Sequence, residues 1–105
     1  MAEKESILSR IKSSIRSINP STRIILFGSR ARNEEKKDSD WDVLLLVDEE
    51  NVSNKIEDDY RDTLYDIELD TGQIISAFIY SKKYWNSILK FSPFYKNVST
   101  DGIEL

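Results

Sequence analysis

The run VLLLV, residues 43–47, constrains the fold of this chain more than any other stretch. A strand with one face in water alternates apolar and polar side chains, whereas a strand covered on both faces carries apolar side chains throughout. This run is uninterrupted and has the length of a strand. We therefore predict that it forms a central strand of a sheet, with other elements packed on both of its faces.

Before this run, the periodicity of the sequence changes twice. Residues 3–18 repeat apolar side chains at spacings of three and four, which is typical of an amphipathic helix, and Asn19-Pro20 ends the pattern. RIILF, residues 23–27, has the β-branched content of a strand. Residues 30–37 are rich in helix formers, which predicts a short helix between the first strand and the central one.

After the run, the sequence predicts a second long helix, a third strand and two further helices. The long helix covers residues 52–69, with Asn51 or Ser53 as its cap, and the strand is QIISAFIY, residues 73–80. The later helices start at serine caps, the second with proline at its first position: Ser81, Ser92 and Pro93. The order α-β-α-β-α-β-α predicts an α/β (α+β) fold, in which helices pack against one sheet.

The size and composition of the chain fit this arrangement. A length of 105 residues predicts one domain, residues 1–105, with a single small core. Apolar residues make up 39% and charged residues 32%, which favours a soluble protein with a charged surface. No apolar run is long enough to cross a membrane, and the first residues lack the pattern of a signal peptide, so we expect a cytoplasmic protein without membrane contact.

The residue types that are missing restrict the chemistry. Because the chain has neither cysteine nor histidine, disulfides, thiolate metal sites, His-based zinc sites and Ser-His catalysis are excluded. Any catalysis must use carboxylates, hydroxyls, lysine, arginine or a metal ion held by oxygen ligands. The net charge of -4 argues against binding to duplex DNA, because neutralising phosphates needs a basic face.

A Gly-Ser pair follows the first predicted strand. At such a strand-to-helix junction, free backbone N–H groups and the positive end of a helix dipole favour an anion. Gly28 lets the backbone approach a phosphate closely, Ser29 adds a hydroxyl donor, and Arg30 and Arg32 supply charge nearby. Taken alone, a Gly-Ser pair after a strand is more often a simple turn.

Two aspartates stand just before the central run. If the strand has already begun there, Asp40 and Asp42 project from one face while Trp41 points to the other. Adjacent carboxylates repel each other, and a divalent cation with a preference for oxygen ligands, magnesium or manganese, removes that repulsion. The alternative is a solvated turn followed by an aspartate that merely starts a strand.

Together, the two motifs resemble a known family. The pattern is Gly-Ser, ten residues, then Asp-x-Asp, which spans residues 28–42 after an apolar strand. It is similar to the signature of the nucleotidyltransferase superfamily that includes DNA polymerase β and the kanamycin nucleotidyltransferases. The phrase LFGSRAR, the closing DGIEL and the short chain resemble its smallest members, the minimal nucleotidyltransferases or MNT proteins.

This resemblance implies a fold, a reaction and a set of roles. The fold is a mixed-sheet palm with flanking helices, and the reaction transfers a nucleoside monophosphate, AMP from ATP, to a hydroxyl group with magnesium as cofactor. By the resemblance, the nucleotide-binding residues are Gly28, Ser29 and Arg30. The resemblance likewise makes Asp40 and Asp42 the catalytic residues and the ligands of a two-ion or reduced metal site.

The family's full site has a third carboxylate on a neighbouring strand, and the third predicted strand here contains no acid. Ser76 lies in its middle and can donate a hydrogen bond, while Glu68 and Asp70 precede it. The alternatives are a reduced metal site, a carboxylate from elsewhere, or a domain that binds a nucleotide or a partner without efficient turnover.

The resemblance also implies a partner. Minimal members resemble the antitoxins of toxin–antitoxin pairs whose toxin is a helical HEPN ribonuclease, silenced by AMP transfer to a tyrosine, by direct binding, or by both. A small-molecule acceptor of the aminoglycoside type is a further alternative. Aromatic residues near the end of the chain form either a contact surface or, as we favour, core packing of the last helices: Tyr84, Trp85, Phe91, Phe94 and Tyr95.

Overall fold

The fold comes from a computed structural model, which describes residues 2–105 except the side chains of residues 2, 3 and 5. The helices are α1 (Ala2–Ile18), α2 (Asn54–Thr71), α3 (Lys82–Ser87) and α4 (Pro93–Asp101), with a 3-10 turn at Leu89–Phe91. The strands are β1 (Arg23–Phe27), β2 (Trp41–Val47), β3 (Ile75–Ser81) and β4 (Ile103–Glu104).

The four strands form one mixed sheet in the order β3-β2-β1-β4. Strand β1 is antiparallel to both β2 and β4, whereas β2 and β3 are parallel. The predicted α/β (α+β) fold with a mixed sheet and flanking helices is therefore confirmed. The central run is confirmed too, because β2 lies between two strands and residues 43–47 are all fully buried.

Side chains from alternate positions of β2 enter two different cores. Val43, Leu45 and Val47 pack against α1 and α2 on one face of the sheet. Leu44 and Leu46 pack on the other face, against Trp85 of α3 and Val98 of α4. This double coverage is the physical reason for an apolar side chain at every position of the run.

The predicted serine caps are confirmed. The side chains of Ser53, Ser81 and Ser92 accept hydrogen bonds from backbone N–H groups in the first turns of α2, α3 and α4. Pro93 occupies the start of α4, where a missing N–H group costs nothing. Helix α2 ends at Gly72, whose φ of 71° is left-handed.

The prediction of a short helix over residues 30–37 is wrong. These residues form turns, in which the N–H of Arg32 donates to the carbonyl of Gly28 (3.2 Å) and that of Glu34 to Ser29 (2.9 Å). Asn33 has a left-handed φ of 57°, which interrupts helical hydrogen bonding. Strand β4 was not predicted, because its two residues are too few to show a period.

Among the described residues, no helix combines the length and apolar character that crossing a membrane requires.

Candidate functional site

The turn after β1 lies directly against Asp42 at the start of β2. The antiparallel register pairs Phe27 with Asp42, so that the next residue, Gly28, meets the carboxylate. A Cβ atom at Gly28 would overlap the Asp42 carboxylate, and the φ of 75° is also one that side-chain-bearing residues rarely adopt. Position 28 therefore requires glycine both for its backbone conformation and for the space beside Asp42. The first and last residues of the stretch 28–42 are in contact.

Oxygen-bearing side chains gather at this end of the sheet. Strand alternation places Asp42 on the face of Leu44, opposite the buried Trp41. In the parallel register Ser76 of β3 pairs with Asp42, and its hydroxyl donates to Oδ2 of Asp40 (3.2 Å). The site therefore combines two carboxylates with one hydroxyl.

The electrostatics of Asp42 are unfavourable for a lone carboxylate. Partial burial raises its pKa, the negative charge of Asp40 raises it further, and the positive charge of Arg32 opposes both effects. A divalent cation between the two aspartates would remove this penalty. The donor set of carboxylates and a hydroxyl fits magnesium, which prefers oxygen ligands.

Within the part of the chain that the structure describes, Asp40 and Asp42 form a pair without a third carboxylate. Among the side chains that the structure describes, no group of three or more acidic residues is arranged to hold a metal ion. Glu68 accepts a hydrogen bond from the N–H of Ile75 (3.1 Å), and Asp70 pairs with Arg10 (2.9 Å). The two acids that precede β3 are therefore engaged away from Asp40 and Asp42.

The guanidinium of Arg30 is held by the loop that precedes β2 and by Trp41. Its Nε and one terminal nitrogen donate to the carbonyl of Ser39 (3.0 and 2.8 Å), and its guanidinium stacks 4.0 Å from the ring centre of Trp41. The residue is 8% exposed and lies on the α1 side of the sheet with Trp41. Its placement fixes the connecting loop, and its role in nucleotide binding stays a prediction.

Arg32 is the arginine whose charge acts on Asp42. Its side chain is 40% exposed, with ion-pair distances of 3.3 Å to Glu34 and 3.7 Å to Asp101 at the end of α4. From the sequence, Arg32 was expected to supply charge near the site, but only Arg30 was predicted to bind the nucleotide. Nothing in the local pattern separates two arginines in one turn, because the side that each faces depends on the fold.

An aromatic wall, which we define as Phe27, Phe78 and Phe94, borders the carboxylates on the same face of the sheet. Its ring centres are 5.3–5.6 Å apart in tilted and edge-to-face geometries. Phe27 pairs with Asp42, and Phe78 follows Ser76 by two positions and is 40% exposed. This role of Phe78 was not predicted. Its two-residue spacing from Ser76 was the available signal, because residues two apart in a strand lie on the same face of the sheet.

A known protein family matches most of this chain. The family model described as Nucleotidyltransferase domain matches residues 8–98, which include β1, β2, β3 and the whole Gly-Ser to Asp-x-Asp stretch. A search of curated proteins found no match. The predicted membership of the nucleotidyltransferase superfamily is confirmed, and the chain belongs to the nucleotidyltransferase domain family.

Proposed function

We propose that this protein is a magnesium-dependent nucleotidyltransferase that transfers AMP from ATP to a hydroxyl group on a partner protein. The observation that carries the proposal is the contact of Gly28 with Asp42, because it sets a turn suited to phosphate beside a carboxylate pair suited to a cation. Family membership supports nucleotidyl transfer in general. The nucleotide, the cofactor and the acceptor are the proposed parts.

The residues of the turn would hold the triphosphate. Gly28 has no side chain to keep a phosphate away from the backbone, and the hydroxyl of Ser29 can donate to a phosphate oxygen. Nucleotidyl transfer depends mainly on alignment and on stabilising negative charge, so a fixed turn beside the carboxylates suits it.

Asp40 and Asp42 would hold the magnesium ion. When bound, magnesium supplies positive charge that stabilises the phosphoryl oxygens and the leaving pyrophosphate. The hydroxyl of Ser76 orients one oxygen of Asp40 and leaves the other oxygen available. Asp42 must be ionised to take part, and because partial burial and the neighbouring aspartate raise its pKa, a bound cation would stabilise its ionised form.

We propose a HEPN-domain toxin as the partner, with a tyrosine hydroxyl as acceptor and the protein acting as its antitoxin in the cytoplasm. Residues 71–100 carry lysines but no acidic residue, in a chain whose net charge is -4. Within that stretch, Tyr84, Ile88 and Phe91 are 43%, 60% and 82% exposed. Lys82 and Lys83 pair with Asp48 and Glu50, whereas Nζ of Lys90 lies 5.1 Å from the ring centre of Phe91. Positive charge beside an exposed apolar side chain suits a protein partner with an acidic surface.

A second candidate function is neutralisation of the toxin by binding alone. Two observations favour it: the same exposed apolar surface, and a carboxylate pair that no third acid joins among the described side chains. Of the predicted aromatic surface, Trp85 is buried and Phe94 and Tyr95 are half-buried, so these three belong to core packing.

Labelled transfer distinguishes the two candidates. The protein is incubated with magnesium, ATP labelled at the α-phosphate and a HEPN-domain toxin, and label on the toxin is measured together with its ribonuclease activity. We expect transfer by the wild type and by the control Asp58→Asn, on the exposed face of α2. Asp40→Asn and Asp42→Asn should abolish it. Neutralisation without label in all four proteins would contradict the enzyme and support the binding module.

A further inference from the structure

Two arginines of the same turn have different freedom. The guanidinium of Arg30 is held by the carbonyl of Ser39 and by Trp41, and the residue is nearly buried. The side chain of Arg32 is 40% exposed and, among the described side chains, forms ion pairs with Glu34 and Asp101 at the surface. Arg32 is therefore free to change partners, whereas Arg30 would have to leave a packed position.

The backbone of Arg32 is fixed at the candidate site. Its N–H donates to the carbonyl of Gly28 at 3.2 Å, and Gly28 lies against the Asp42 carboxylate. The flexible, positively charged side chain of Arg32 is thus attached to the turn that would hold the triphosphate.

The present partners of Arg32 hold it weakly. Nε lies 3.3 Å from a Glu34 oxygen, and a terminal nitrogen lies 3.7 Å from Asp101. Exposed ion pairs of this kind contribute little to stability. A triphosphate offers several charged oxygens, and guanidinium groups bind such oxygens in bidentate geometry, so it would compete well for Arg32.

The position of Asp101 is built into the fold. It is the last residue of α4, and Gly102 follows it. A Cβ at Gly102 would overlap the carbonyl of Val98 and lie 2.8 Å from Ile25, so glycine lets the chain pass closely over β1. The chain then pairs with β1 through Ile103 and Glu104, which holds the end of α4 beside the turn.

We propose that Arg32 binds the triphosphate of the nucleotide, and that Asp101 competes with the nucleotide for this side chain. Asp101, at the end of α4, thereby holds the side chain of Arg32 until the phosphates of ATP replace it as the partner of Arg32. This inference rests on the proposed function, because it takes ATP as the ligand of the same site.

Nucleotide binding measured by calorimetry with magnesium tests the proposal. Arg32→Gln should weaken ATP binding by about ten-fold or more, as expected for loss of a charge-assisted contact, and should change AMP binding little, because AMP lacks the β- and γ-phosphates. Arg32→Lys should restore part of the affinity for ATP. Asp101→Asn should act in the opposite direction and tighten ATP binding by about two- to five-fold, the range of a surface ion pair.

Two controls make these results specific. Arg10→Gln removes an arginine of similar exposure (41%), paired with Asp70 away from the site, and should leave ATP binding unchanged. In the double variant Arg32→Gln/Asp101→Asn, the gain from Asp101→Asn should disappear, because its only route to ATP is Arg32.

The possible failures are distinguishable. Wild-type protein that binds no ATP in the presence of magnesium would overturn both this inference and the proposed function. Wild-type and Arg32→Gln proteins that bind ATP equally would overturn the inference and leave the proposed function standing. Tighter ATP binding by Asp101→Asn in the absence of Arg32 would also overturn it.

Discussion

The two ends of β2 each carry an aspartate, and the two carboxylates have opposite environments. At the start of the strand, partial burial and the charge of Asp40 raise the pKa of Asp42. Just beyond its end, hydrogen bonds from Lys82 and Ser21 lower the pKa of Asp48, and Nζ of Lys82 lies 2.7 Å from the carboxylate. Lys82 pairs directly with Asp48, whereas at Asp42 the charge of Arg32 does not outweigh burial and the charge of Asp40.

This difference indicates where the protein needs a ligand. A carboxylate paired with a lysine and a hydroxyl donor has its requirements met within the fold, whereas Arg32 only partly offsets the burial of Asp42 and its repulsion by Asp40. A cation bound between the two aspartates would stabilise the pair further. Carboxylates such as Asp42, whose pKa is raised by burial and by a neighbouring negative charge, are typical of functional sites.

The largest effect is expected on activity. Asp42→Asn should lower the rate of pyrophosphate release from ATP by about 100-fold or more, because metal binding in such sites contributes several kcal/mol to the transition state. Asp48→Asn, at the other end of the same strand, should retain the wild-type rate. Equal losses in both variants would show that the two ends do not differ in function.

A second prediction concerns the contact between the turn and Asp42. Gly28→Ala should destabilise the fold by about 2 kcal/mol, since it combines a left-handed φ with overlap on the carboxylate. Gly72→Ala is the matched control, because Gly72 has a similar φ of 71° and nothing within 4 Å of an added Cβ. Urea unfolding should show the larger loss for Gly28→Ala, and adding Asp42→Ala should reduce that loss. Identical costs at the two glycines would contradict the close contact.

A third prediction restores the missing carboxylate. Ser76 pairs with Asp42 and hydrogen-bonds Asp40, so Ser76→Asp would place a third acid beside the pair. We expect tighter magnesium binding and a transfer rate raised by about ten-fold, equivalent to about 1.4 kcal/mol. Ser76→Asn has a similar shape without the charge and should not raise the rate. A decrease in both variants would argue that the hydroxyl itself is needed.

The smallest effect is expected in the pH dependence of stability without metal. Because the pKa of folded Asp42 lies above its ordinary value of 3.8, its unfavourable contribution appears as the pH rises from that value through the raised pKa. The pKa of Asp48 is lowered, so its stabilising contribution is present above the ordinary value and is lost as the pH falls through the lowered pKa.

Melting temperatures measured in EDTA from pH 3 to pH 8 would separate the two groups. Relative to the wild type, Asp42→Asn should gain stability as the pH rises, and Asp48→Asn should lose it. Parallel profiles for the two variants would contradict the contrast. Added magnesium should reverse the Asp42 effect, since metal binding strengthens as Asp42 ionises.

The elements that the sequence predicted well are those with a local signal. The run at 43–47 predicted a covered central strand because burial on both faces demands apolar residues at every position. The serine caps were predictable because a cap bonds to an N–H group only three residues away. The convergence of Gly28 on Asp42 was expected from the resemblance, not from the residues alone.

The details that sequence reasoning missed depend on contacts between distant residues. Helix formers at 30–37 did not make a helix, because the chain must reverse there to pair β2 antiparallel with β1. Which arginine faces the aspartates was decided by the packing of Arg30 on Trp41. Strand β4 exists only because β1 offers an edge for Ile103 and Glu104.

The most direct test of the central claim is a crystal structure of the protein with Mn²⁺ and a non-hydrolysable ATP analogue, with anomalous diffraction to locate the metal. If the two aspartates hold the metal, an anomalous peak lies between the carboxylates of Asp40 and Asp42, with the triphosphate on the turn at Gly28 and Ser29. No peak should appear at Asp48. If no peak appears between Asp40 and Asp42 and the analogue binds elsewhere on the protein, the proposed nucleotide and metal site is wrong.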